Sequence, residues 1–241
     1  MITLVIATRN AHKVQEIQAI LGRDCRYFTL DHFVAAPIVR EDGSTFDENA
    51  QKKSVELARW LLKNPRFQSP LLVEDPEQRG PVLVLADDSG LEVDALGGSP
   101  GVYSARFAHI GTDIPGNAPD AANNQKLLAA LKGVPEPQRT ARFRCVVAAT
   151  PVEVYDNLRR TTALFGDVLE KRTTLATGVC EGRIAFGPSG RGGFGYDPLF
   201  IPDGHEESFA ALGEEVKNGL SHRARALALL KKWLDQLEGK D

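Results

Sequence analysis

The chain has 241 residues, enough for one large domain or two lobes sharing a core, and long enough to bury a substantial interior. Its 42% hydrophobic and 25% charged content is that of an ordinary folded protein and excludes wholesale disorder. Twenty-nine Lys and Arg against 32 Asp and Glu leave a formal charge of −3, which argues against a protein that coats nucleic acid but allows a small anion in a local basic pocket.

Residues 2–7 are a short apolar run rich in β-branched side chains, the pattern of a strand buried on both faces. From Asn10 onward, Val14, Ile17, Ile20 and Leu21 fall at helical spacing, and Gly22 stands where a helix ends. Residues 26–30 suggest a second strand. Thr45-Phe46-Asp47-Glu48 fits a capping box and predicts a helix to about Leu62 that buries Ala50, Ser54, Leu57 and Leu61. Residues 63–80 are broken by proline and charge and read as a surface excursion.

Residues 81–86 (PVLVLA) predict a buried strand that ends abruptly in Asp87-Asp88-Ser89-Gly90. Residues 117–132 have helical spacing at Leu127, Leu128 and Leu131, and residues 141–150 predict another strand. Residues 151–172 are polar and ambiguous. Residues 173–186 are expected to hold two strands around Gly182. A glycine-rich loop follows at 187–195 (GPSGRGGFG). Residues 221–237 are the clearest helix, with Leu227, Leu230, Leu234 and Leu237 on one face. Interleaved strands and helices predict an α/β class with a largely buried sheet.

No apolar run approaches the ~18 residues of a membrane span. The opening MITLVIATRN lacks the basic stretch and cleavage site of a signal peptide. Cys25, Cys145 and Cys180 are odd in number and contain no CxxC pair, so they read as reduced, mostly buried thiols. A cytoplasmic protein with no membrane and no nucleic-acid partner is the expectation.

Three features point to chemistry. Thr8-Arg9-Asn10-Ala11-His12-Lys13 joins a buried strand to a helix start, where free amides and the helix dipole favour anions. Lys13 opposes that dipole, which makes sense with a phosphate bound; a solvated surface lysine is the alternative. The anomaly repeats at the last helix, where Ser221 is a good cap and His222, Arg223 and Arg225 follow. Asp87-Asp88 after an apolar strand are costly to bury without a partner, and a hard cation such as Mg²⁺ would satisfy them. A plain Asp-Ser-Gly turn is the competing reading. Glu41 is a second source of metal oxygen. In Gly192-Gly193-Phe194-Gly195-Tyr196-Asp197, bare backbone and one aromatic suit a flat ligand, with Asp197 able to accept from a ring N–H; an inward-packed Phe194 is the alternative.

Taken in order, residues 8–13 (TRNAHK), 41–50 (EDGSTFDENA), 86–106 (ADDSGLEVDALGGSPGVYSAR), 192–197 (GGFGYD) and 221–227 (SHRARAL) span nearly the whole chain. Together they resemble the inosine/xanthosine triphosphate pyrophosphatases, which hydrolyse deaminated purine nucleoside triphosphates to monophosphate and pyrophosphate. The long ADDSGLEVDALGGSPG run combined with GGFGYDP and SHR is highly specific. The resemblance implies an α/β, two-lobed fold with a long central mixed β-sheet flanked by helices, an active-site cleft between the lobes, a homodimer and Mg²⁺ dependence. By position it implies Asp88 as general base and metal-linked acid, with Glu41 as its metal partner. It implies Lys13 and Lys53 as phosphate-binding lysines, alongside Thr8, Arg9 and Asn10, and Ser89 as a further substrate contact. Phe194 and Asp197, with Gly195 and Tyr196 between them, match the base-recognition loop. Lys217 matches another ligand-contacting lysine, and His222 and Arg223 the base-binding pair. Arg9 stands where many members have glycine, and residues 63–80 and 151–172 look like insertions relative to compact members.

On this reading the triphosphate lies across residues 8–13 and a water oriented by Asp88 attacks the α-phosphorus. A 6-oxo group accepts from donors facing the purine 6-position, whereas a 6-amino group leaves those donors unmatched. Two alternatives stay open: a pyrophosphatase for other modified nucleotides, including pyrimidines, and a nucleotide-binding regulator without hydrolysis. No GxxxxGK[ST] occurs, and no GxGxxG follows the first strand, which argues against a standard P-loop and a dinucleotide-dependent dehydrogenase.

Overall fold

The computed structural model describes residues 1–33, 35–68, 71, 80–152 and 165–239. Within them the chain forms β1 (Ile2–Ile6), α1 (Ala11–Leu21), β2 (Cys25–Thr29), α2 (Phe46–Lys63), β3 (Val82–Val93) and α3 (Asp120–Ala130). It continues through β4 (Thr140–Val152), α4 (Phe165–Arg172), β5 (Thr174–Ile184), β6 (Phe200–Pro202), α5 (Phe209–Leu212), α6 (Glu214–Leu220) and α7 (His222–Leu237). The six strands form one mixed sheet in the order β2-β1-β3-β4-β5-β6. β1 runs parallel to both β2 and β3, whereas β5 and β6 are antiparallel. This is the α/β class that the interleaved pattern predicted.

The chain divides into two compact units. The first comprises residues 1–88, 146–176 and 227–241, and the second 89–145 and 177–226.

In the first unit, β1 is buried at all five positions because it is paired on both edges. Asn10 caps α1 as its position predicted: its Oδ1 accepts from the amides of His12 (3.0 Å) and Lys13 (3.3 Å). Gly22 ends the helix at φ +82°, donating to the Gln18 carbonyl. Thr45 caps α2 by accepting from the Glu48 amide at 3.1 Å, but the Glu48 carboxylate takes the amide and hydroxyl of Ser44 instead of closing the expected box. Ala50, Ser54, Leu57 and Leu61 are buried as expected. Leu57, Ala58 and Leu61 join Val5, Phe33, Val84 and Val152 in one apolar core. Each leucine, valine or phenylalanine among them contributes roughly 1.5–3 kcal/mol when fully buried.

The second unit has its own core, built on Leu91, Phe107, Leu127, Phe143, Tyr196, Phe200 and Phe209. The rings of Phe143 and Phe200 lie 4.6 Å apart, and those of Phe200 and Phe209 5.4 Å. At Gly178, on β5, a Cβ would fall 2.1 Å from the His222 carbonyl oxygen and 2.4 Å from the Ala226 nitrogen. Only glycine lets the first turn of α7 come this close to the strand.

Three expectations are corrected. β3 does not end at Asp87: it continues through Asp87-Asp88-Ser89-Gly90 to Val93. Residues 174–184 are one strand and not two. Gly182 is there for space and not for a turn, since a Cβ would lie 2.3 Å from the Ile201 oxygen and 2.7 Å from the Phe200 ring of β6. Leu237 is 46% exposed, because α7 outruns the apolar face that Leu227, Leu230 and Leu234 bury. Of the two expected insertions, residues 69, 70, 72–79 and 153–164 lie outside the described residues.

Candidate active site

In the first unit, acids of β3 and of the segment before α2 meet lysines of α1 and α2. Consecutive strand residues project to opposite faces, and Asp87 and Asp88 are met by different lysines. Lys13 Nζ lies 2.9 Å from Asp87 Oδ2. Lys53 Nζ lies 3.0 Å from Glu41 Oε1 and 3.9 Å from Asp88 Oδ1. Asp87 and Asp88 are 2% and 6% exposed, so their contacts with Lys13 and Lys53 form with little water to screen them, whereas Glu41 is open to solvent.

Burial pushes the Asp88 carboxyl above the usual carboxylate range, and the nearby Lys53 and Lys13 only partly offset it. Burial acts to lower Lys53, but Asp88, Asp87 and Glu41 outweigh it and hold the ammonium above its ordinary value. Lys53 therefore stays charged at neutral pH, and Asp88 is a stronger base than an exposed aspartate.

Thr8 Oγ1 accepts from the Asn10 amide at 3.2 Å, which sets the turn into α1. The amides of His12 and Lys13, expected to face an anion, are instead capped by Asn10. Arg9 is exposed, with its guanidinium 3.5 Å from the Ala36 carbonyl. The Lys13 side chain, held by Asp87, is therefore the chief cationic feature of this helix start.

The second cluster lies in the second unit. Asp197 is 2% exposed, and its Oδ2 accepts from Lys217 Nζ at 2.7 Å and from the Phe194 amide at 2.8 Å. Asp197 thereby holds the loop and Lys217 together through one of its two carboxylate oxygens. Gly193, at φ +74°, is required here because a Cβ would fall 2.2 Å from Asp197 Oδ2. Phe194 is half-buried and not packed inward; Lys217 Nζ stands 4.3 Å and the Arg223 guanidinium 5.8 Å from its ring centre. Arg223, 1% exposed, donates to the Ser89 hydroxyl at 2.9 Å. His222 stacks on Phe143 with ring centres 4.7 Å apart. Ser221 caps α7 by accepting from the Ala224 amide, and Arg225 turns away to the Val179 carbonyl.

Two expected contacts have structural duties. Tyr196 is in the core and donates its hydroxyl to the Ser104 carbonyl at 2.9 Å. The Gly195 amide donates to Asp120 at 2.7 Å, and its carbonyl accepts from Asn124 at 2.9 Å. Asp120, Asn124 and Asn49 are the residues that sequence reasoning passed over. Asp87 reads together with Asp88 as a buried acid in need of a cation, and the cation it meets is Lys13.

Glu41 and Asp88, sharing Lys53, are a hard oxygen donor set. Mg²⁺ characteristically takes one or two protein carboxylates and completes its shell with water and phosphate, so these residues fit it. Among the described residues no group of three or more His, Cys, Asp or Glu is placed to hold a metal by itself. No helix among them is long and apolar enough to cross a membrane.

The model of the Ham1 family matches residues 4–233. The chain is 42% identical to a dITP/XTP pyrophosphatase of Shouchella clausii over 96% of each chain. It is 43% identical to one from Geobacter sulfurreducens, again over 96% of each. Among solved structures, a HAM1 protein from Coxiella burnetii superposes with a TM-score of 0.72 at 33% identity, covering 98% of this chain and all of that one. The Staphylococcus aureus Ham1 protein gives 0.69 at 32% identity, covering 99% and 100%.

Proposed function

The chain belongs to the Ham1 family, and on that premise we propose a Mg²⁺-assisted pyrophosphohydrolase that cleaves at the α-phosphorus. The protein is a hydrolase of deaminated purine nucleoside triphosphates (ITP, dITP, XTP), releasing the monophosphate and pyrophosphate. The observation that carries the site assignment is buried Asp88, joined to Glu41 through the Lys53 ammonium they share, within a chain so similar to dITP/XTP pyrophosphatases along its length.

In this reading Asp88 orients a water and takes its proton as the water attacks phosphorus; burial has made its carboxylate basic enough for the task. Lys13 and Lys53 stabilise negative charge growing on the phosphate oxygens and on departing pyrophosphate. Glu41 and Asp88 are the residues that would hold Mg²⁺, which when bound neutralises polyphosphate charge and polarises its oxygens. Positioning and electrostatics dominate such transfers, so few side chains need to react.

Phe194 supplies a stacking face for the base, and Lys217 and Arg223 keep cationic donors beside that ring. Such donors match a 6-oxo group. A 6-amino group would leave them unmatched, a penalty large enough for strong discrimination against ATP. A homodimer in the cytoplasm completes the proposal.

The test is pyrophosphate release from ITP, dITP, XTP, ATP, GTP and dUTP with Mg²⁺ present. The 6-oxo substrates ITP, dITP and XTP should turn over far faster than ATP. Orthophosphate without pyrophosphate would reject α-phosphorus attack, and a preference for dUTP would move the enzyme to pyrimidine substrates. Sedimentation of the purified protein tests the dimer.

A further inference from the structure

Each of the four residues leading into the α2 cap is tied back by a side chain of α2 itself. Glu41 accepts from Lys53 at 3.0 Å and Asp42 from Lys52 at 2.5 Å. The Gly43 amide donates to Asn49 Oδ1 at 2.8 Å, and the Ser44 amide and hydroxyl donate to Glu48 at 2.7 and 2.9 Å. Residues 48 and 52 form one helical stripe and 49 and 53 the next. The chain thus folds back along two neighbouring rows of side chains.

Three of these ties involve charged groups, and those of Asp42 and Ser44 are open to solvent. The tie from Asn49 differs: the side chain is neutral and 1% exposed. A backbone amide can only donate, so the oxygen of the Asn49 carboxamide must face Gly43 and its nitrogen must face the other way. That buried Nδ2 has no hydrogen-bond partner among the described residues. Asp88 is its acidic neighbour on that side. Gly43 permits the approach, since a Cβ there would lie 2.7 Å from Asn49 Oδ1 and 2.9 Å from the Glu48 Cβ.

We propose that Asn49 is a positioning residue for the hydrolytic centre: one buried carboxamide fixes the Glu41-bearing segment through Gly43 and presents its N–H side to Asp88, so a single side chain sets the spacing of both carboxylates. A buried donor left over by the protein is matched by the acidic centre it faces, which explains an asparagine where the helix would otherwise pack an apolar residue. The inference rests on the reading of Glu41 and Asp88 as the metal-binding pair.

The test compares the full-length wild type with Asn49→Ala, Asn49→Asp and Gly43→Ala. Four quantities are read: amide exchange over residues 41–44, Mn²⁺ affinity by electron paramagnetic resonance without nucleotide, thermal midpoint, and kcat and KM for dITP. Asn49→Ala should raise exchange at Gly43 at least tenfold, weaken Mn²⁺ several-fold and lower kcat at least tenfold, with KM within about twofold. Gly43→Ala, which wedges the same contact apart, should reproduce the Mn²⁺ and kcat losses. Asn49→Asp keeps an oxygen for the Gly43 amide but removes the N–H facing Asp88, so exchange should stay low while kcat falls.

Unchanged Mn²⁺ affinity and kcat in Asn49→Ala, with only the thermal midpoint lowered, would overturn the proposal. Unchanged exchange at Gly43 would do the same. Should Asn49→Ala fail to fold, Gly43→Ala and Asn49→Asp decide it. Failure of the pyrophosphatase reading would show as an inactive wild type, and exchange and Mn²⁺ binding would still judge the role of Asn49.

Discussion

The N-termini of α1 and α7 carry the same oddity in sequence, a basic side chain where the helix dipole disfavours one, and they resolve it differently. At α1 the charge of Lys13 is answered by a buried carboxylate, Asp87, at 2.9 Å. At α7 Arg223 donates to a hydroxyl, Ser89, and stands beside the ring of Phe194, while His222 lies flat on Phe143. The hydroxyl and the rings fix the planes of guanidinium and imidazole without contributing charge. Under the proposed function the first arrangement serves a polyphosphate, which would compete with a carboxylate for an ammonium and prevail by bringing more charge. The second suits a neutral carbonyl, which needs fixed donors more than net charge.

The sharpest way to break this comparison is at the neighbouring base. Asp88→Asn should lower kcat by roughly 10²–10⁴-fold, the usual contribution of a positioned acid–base group, with circular dichroism unchanged. Burial raises the native pKa of Asp88, so the native state binds this proton more tightly than the unfolded chain does. The favourable contribution is therefore present below the unfolded value, about 3.9, and is lost as pH rises through the native value. Metal-free protein should lose stability over that window, and Asp88→Asn, lacking the titration, should not. A kcat near wild type would remove Asp88 from its role.

Next in size is the ion pair itself. Asp87→Asn leaves Lys13 without its carboxylate and should cost about 3–5 kcal/mol in urea unfolding, as breaking a buried pair generally does. Ser89→Ala at the other helix start should cost less, about 1.5–3 kcal/mol for a hydrogen bond to a charged group. Equal losses would mean that the two helix starts are not built differently.

Phe194→Ala should raise KM for dITP by an amount matching ~1–3 kcal/mol of base stacking, with little change in kcat. An unchanged KM would return Phe194 to a packing role. The smallest effect concerns thiols. Burial pushes Cys180 up to about 11, and Cys145 is fully buried. Iodoacetamide at pH 8 should therefore label half-buried Cys25 first, as peptide mapping will show.

Much of this was legible in the sequence because charge and periodicity are local. Asn10, Thr45 and Ser221 cap the helices they appeared to cap, and Lys53, Glu41 and Asp88 come together. Asp87-Asp88-Ser89-Gly90 reads as the abrupt end of a strand, because aspartate, serine and glycine each favour a turn in isolation. Lysines from two helices make the strand tolerable there, and a linear reading does not weigh partners 74 or 35 positions away. Gly182 misled in the same manner: its absent side chain answers a ring on β6 and not a bend. Asn49 left no signal, since an asparagine inside a helix shows only a modest propensity cost, and its two-sided contact exists only after Gly43 folds back. The tie between Asp197 and Lys217 left no signal either, since 20 positions of chain separate the two.

Gly178 has a consequence for genetics. A methyl group on β5 would strike the backbone of the first turn of α7, and that turn carries His222 and Arg223. Under the proposed function, replacements at residue 178, a strand position bearing no functional group of its own, should therefore disturb base selection from a distance, which the ratio of dITP to ATP turnover would show.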